Sequence, residues 1–149
     1  MEKSLLIAEI KEAFEDLSYP NYDYFNAIVD RDYLDISEVK VSDERKLWRD
    51  VSKDEVIKYY DFIFYLKNEG VIYYLPAYMI NIVEHEDIAS GYPSESAFMA
   101  IADIVIDSLS DKQLNAIRDF LIYCRDNVQK RIELDEALLD TAMEHVMVS

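Results

Sequence analysis

Glu84-His85-Glu86-Asp87 sets one imidazole among three carboxylates, a mixture that could hold a divalent cation. Imidazole suits zinc and other transition metals, and carboxylates suit harder ions. The helical zinc-hydrolase pattern needs a second histidine one turn away, but the only other histidine is His145. The four residues are a weak metal candidate. The competing reading, a solvated helix end, is favoured because clustered charges usually face water. Cys124 is the sole cysteine, so no intramolecular disulfide or cysteine metal cluster can form. It falls on the apolar side of a helical pattern, where a neutral buried thiol is the default. No Gly-x-Ser-x-Gly is present, and the two glycines, Gly70 and Gly91, cannot make a phosphate-cradling loop. Paired carboxylates are too numerous to mark an acid/base site. No catalytic residue is assigned, no cofactor is expected, and enzyme activity is not expected.

Binding is better signalled than catalysis. The formal net charge is −16, from 31 acids against 15 bases. Such a chain repels phosphate backbones and anionic membrane surfaces, which argues against direct nucleic-acid or membrane contact. It would steer in a basic protein. Residues 68–111 contain no lysine or arginine but carry eight acids, among them Glu95, Asp103 and Asp107. Their four- and eight-residue spacings allow one acidic ridge if a single helix carries them. Earlier, Tyr22, Asp23, Tyr24, Asp30 and Asp32 mix aromatic area with negative charge. Tyrosine carries large area and a polar tip at low rotamer cost, which suits interfaces. The plainer reading, that these tyrosines cap the edge of a core, is weighed beside it.

These residues need a scaffold, and its class is legible. A chain of 149 residues favours one domain, 1–149, with room for a core. A hydrophobic fraction of 51% and only two Gly and three Pro oppose both disorder and a turn-rich sandwich. We expect a mainly α, single-domain helical bundle of about six helices, with a short extended segment near 25–29 or 71–75. The first helix spans 4–17, with Leu6, Ile7, Ile10, Ala13, Phe14 and Leu17 at helical spacing. A short helix within 36–50 leads to Trp48, a packing anchor. Ser52 and Glu55 form a capping box opening a helix over 53–67. Gly70 reads as a helix stop, 71–75 as an extended connector, and Pro76 as the start of a buried helix to about His85. The acids at its end oppose the helix dipole. Ser94 caps a helix over 95–109, and Ser110 with Gln113 caps another running to about Asn127. Residues 130–147 read as a C-terminal helical extension, packed on the body or on a second copy.

Tyr19-Pro20, then Trp48-Arg49-Asp50, then Tyr73-Tyr74-Leu75-Pro76-Ala77-Tyr78 stand in an order that resembles a family of small bacterial proteins classed only as a domain of unknown function. The resemblance rests above all on the last of these, and also on the aromatic stretch through Asp61, Phe62 and Leu66. Leu109-Ser110-x-x-Gln113 and Phe120-Leu121-x-Tyr123 complete it. It covers roughly 5–127 and leaves the tail outside. It implies no activity and no catalytic residues.

The sequence reading is thus a cytoplasmic, acidic protein-binding module, an immunity-type inhibitor of a basic toxin, with a nuclease as one candidate target. The alternatives are an enzyme or metal-binding domain using Glu84, His85, Glu86 and Asp87, and a helical housekeeping domain that self-associates as a homodimer through the C-terminal helix. Met1-Glu2-Lys3-Ser4 opens no signal-peptide pattern, and no apolar run reaches the length of a membrane span.

Overall fold

The computed structural model describes residues 1–18, 47–61, 63, 66, 68–127 and 133–147. Among them are six α-helices and no strand, a helical bundle around one core. They are α1 Lys3–Phe14, α2 Lys53–Lys58, α3 Asn68–Glu84, α4 Tyr92–Asp103, α5 Asp111–Asn127 and α6 Glu133–Met147. Single 3-10 turns lie at Trp48–Asp50 and Ile106–Ser108.

The bundle is built on α3. Every residue from Gly70 to Val83 is buried, so this helix is apolar on all sides, as a central core helix must be. The extended connector expected at 71–75 is therefore helical. Gly70 is not a stop, and Pro76 lies inside the helix rather than at its start. Magnitudes explain the outcome. An interior proline costs about 3 kcal/mol. Each large apolar side chain that is fully buried returns roughly 1.5–3 kcal/mol, and this helix buries Val71, Ile72, Leu75, Met79, Ile80, Ile82 and Val83. The other extended candidate, 25–29, lies outside the described residues.

Polar side chains of α3 also set where its neighbours end. The capping box at Ser52 and Glu55 is present and starts α2. The helix nevertheless stops at Lys58, well short of 67. Tyr78 Oη donates to the Tyr59 carbonyl at 2.6 Å, the acceptor that the Ile63 N–H would use one turn on. Those two backbone groups would pair with each other in a continuing helix, so the phenol interrupts the ladder. Asn68 does the same to α4. Its Oδ1 accepts the Val105 N–H at 2.8 Å, and its Nδ2 donates to Ser108 Oγ at 2.9 Å. The Val105 N–H is thereby withdrawn from α4, and Ile104 turns extended. The helix expected over 95–109 ends at Asp103 for this reason. It also starts earlier than expected, with Pro93 in its first turn, while Ser94 is buried and donates to the Ala89 carbonyl at 2.6 Å.

The outer helices close the core. α1 packs on α3 and α5 through Leu6, Ile10 and Phe14, spaced four apart. α5 opens with the Ser110–Gln113 capping box and buries Ala116, Ile117, Phe120, Leu121 and Cys124. α6 lies on α4 and α5, with Leu139, Ala142 and Val146 buried. Arg118 Nε donates to the Val146 carbonyl at 2.8 Å, and His145 Nε2 lies 2.6 Å from the Ile104 carbonyl. The apolar stripe of the C-terminal extension therefore serves the chain's own core.

Candidate functional site

The acidic residues singled out from the sequence divide into two groups. Tyr22, Asp23, Tyr24, Asp30 and Asp32 lie outside the described residues. Glu95 is half-buried in the first turn of α4, and Asp103 is exposed at its last residue. Asp107 is exposed in the 3-10 turn beyond Ile104, so the expected single ridge is broken by the end of α4. None of the three makes an ion pair among the described residues.

The fold adds a second row. Glu136, Asp140 and Glu144 are exposed on α6 at four-residue spacing, which aligns them along one face. α6 packs against α4, and neither helix contains a lysine or arginine. Two acid-only stretches that are distant in sequence thus lie side by side, and their charges reinforce rather than cancel. The signal for the second row was present, because no lysine or arginine follows Arg131.

A stacked aromatic pair stands apart on the surface. The rings of Tyr60 and Tyr92 lie 5.1 Å apart at 26°. Tyr92 is 64% exposed and Ile57 is 43% exposed. Tyr92 precedes Glu95 by three residues, so the acidic helix begins at an aromatic platform.

The 84–87 cluster is a helix end neutralised by neighbours. Lys53 Nζ lies 2.7 Å from Asp87 Oδ2, and this contact holds the Asp87 carboxyl below the usual carboxylate range. Lys3 Nζ donates to the Glu84 carbonyl at 2.9 Å, placing a cation at the C-terminus of α3 where the dipole favours it. His85 and Glu84 approach only to 3.9 Å. Among the described residues no group of three or more His, Cys, Asp or Glu side chains could hold a metal ion. Cys124 is fully buried.

Sequence reasoning missed one carboxyl pair. Glu9 of α1 faces Asp119 of α5, and its carboxyl is pushed up to about 7. Burial is the main cause, followed by the hydrogen bond and the negative charge of Asp119. As a carboxylate, Glu9 has a buried Oε2 with no donor, whereas the protonated carboxyl can donate to Asp119. Nothing local in the sequence signals a pair that only the α1–α5 packing brings together.

In class, then, the molecule is an α-helical bundle in which α4 and α6 carry acids but no lysine or arginine. No helix among the described residues is long and apolar enough to cross a membrane. The chain belongs to a family of unknown function, DUF6714, which matches residues 2–145. That match extends past the expected limit of 127, so α6 is part of the family unit rather than an addition to it. No curated protein and no solved structure matches the chain.

Proposed function

We propose that this chain is an acidic protein-binding module of the immunity type, a bacterial cytoplasmic inhibitor that neutralises a basic toxin domain, with a nuclease as one candidate. The observation that carries the reading is the pairing of α4 with α6. Neither helix contains a lysine or arginine, and they expose Asp103, Asp140 and Glu144 with no ion pair among the described residues. An unneutralised negative face in a chain of net charge −16 raises the encounter rate with a positive surface. The stacked Tyr60–Tyr92 pair supplies the kind of rigid aromatic area that slows release. A toxin that binds nucleic acid needs a positive cleft, and this surface would compete for it.

The test is capture of a partner at low salt by the purified chain and by an Asp103→Lys/Asp140→Lys double variant. The reading expects one basic protein retained by the parent chain, released at high salt, and not retained by the variant. Retention of the same protein by both chains, or of acidic proteins only, would sink it.

A further inference from the structure

A cavity of about 530 Å³ lies where the C-terminal half of α1 and the C-terminal half of α3 meet the 3-10 turn at Trp48. That volume is in the roughly 300–1,000 Å³ range of small-molecule sites. Its lining is not that of a packing defect, which would be apolar and dry. Lys11 and Arg49 bring positive charge to it, while Glu15, Asp50 and Glu84 bring negative charge. Among the described residues none of these five is ion-paired with another. The Arg49 guanidinium instead lies 5.7 Å from the centre of the Trp48 ring.

Two polar lining side chains are more than nine-tenths buried, and one of them is incomplete. Trp48 is 4% exposed, and its indole N–H is buried with no acceptor. Asn81 is 7% exposed, and its Nδ2 donates to the carbonyls of Ala77 at 2.8 Å and Val51 at 3.3 Å. Those two bonds fix the amide's orientation. Buried polar groups are nearly always paired, by protein, water or ligand. Here an orphan donor, the Trp48 N–H, belongs to the same cavity as the Asn81 amide, beside charges of both signs and the apolar walls of Trp48 and Ile80.

We infer that this cavity binds a zwitterionic ligand of amino-acid to dipeptide size with an apolar side chain. Its carboxylate would meet Arg49, Lys11 and the Trp48 N–H. Its ammonium or amide N–H would meet the carboxylates and Asn81 Oδ1, and its side chain would lie on Trp48 and Ile80. Arg49 is the natural carboxylate anchor, since a guanidinium bonds a carboxylate through two parallel N–H groups. This site is separate from the α4–α6 face, and its success or failure does not bear on the proposed function.

Trp48 is the only tryptophan in the chain, so its emission reports on this cavity alone. The probes are leucyl-leucine, which is zwitterionic, and N-acetyl-leucine amide, which has the same apolar group and no charge. Leucyl-leucine should change the emission saturably and bind at least about tenfold more tightly than the capped compound, because charge-assisted bonds are the stronger ones. Arg49 is exposed, so Arg49→Gln should keep the fold, as an unchanged urea midpoint would show, and weaken leucyl-leucine by about tenfold. No saturable response to leucyl-leucine, equal binding of the two probes, or undiminished binding by a folded Arg49→Gln would each overturn the assignment.

Discussion

Glu9→Gln should stabilise the protein at alkaline pH and leave it nearly unchanged at acid pH. Glu9 titrates from about 7 in the folded state against an ordinary value of 4.5. A carboxyl whose folded-state value is raised is held in its protonated form by folding. Its contribution is fully present below about 4.5 and is lost as the pH rises through about 7. The separation of the two values corresponds to at most ~3 kcal/mol. Glu9 is partly exposed, and solvent screening reduces that to about 1–2 kcal/mol. Glutamine keeps a donor for Asp119 at every pH, so it removes the loss. Urea unfolding of both chains at about pH 5 and about pH 8 tests this, since the difference between chains cancels the other carboxylates. The variant's advantage should grow by about 1–2 kcal/mol across that interval. Parallel stability curves, with a constant difference at all pH values, would refute a protonated Glu9 at the contact of α1 with α5.

Further outcomes follow from the same packing. Tyr78→Phe removes the phenol hydroxyl that donates to the Tyr59 carbonyl and should cost about 1–3 kcal/mol in urea unfolding. Leu139→Ala on α6 should cost about 2–4 kcal/mol, because Leu139 is 2% exposed and its loss opens a cavity against the bundle. Ser110→Ala should cost about 1 kcal/mol by removing half of the cap that starts α5. A chain ending after Asn127 should lose cooperative unfolding by circular dichroism, since Ala142 and Val146 would leave core neighbours uncovered. Retention of a sharp transition would show instead that α6 is dispensable for the fold.

What could be read in advance was local. Leu6, Ile10 and Phe14 declare α1 by spacing, and the Ser52–Glu55 and Ser110–Gln113 boxes start two helices because capping acts within one turn. Helix ends were harder. Tyr78 ends α2 from nineteen residues away, and Asn68 ends α4 from thirty-seven, so neither stop leaves a mark near the residues it affects. Gly70 and Pro76 misled for the opposite reason. They are strong local punctuation, and burial of the surrounding apolar run outweighs them. The candidate site shows the same division. The absence of cations from 68–111 was visible, and the matching run after Arg131 was equally visible. That the two runs lie side by side is a property of α4–α6 packing. The Glu9–Asp119 pair and the meeting of the unpartnered Trp48 N–H with Asn81 in one cavity exist only in three dimensions.

The central claim is that the acidic α4–α6 face captures a basic partner by electrostatic attraction. The association rate of the captured protein, measured by stopped flow over a series of salt concentrations, tests it most directly. The parent chain should associate at least about tenfold faster at low salt than Asp103→Lys/Asp140→Lys, with a rate that falls steeply as salt is added. Equal rates for the two chains, insensitive to salt, would contradict it.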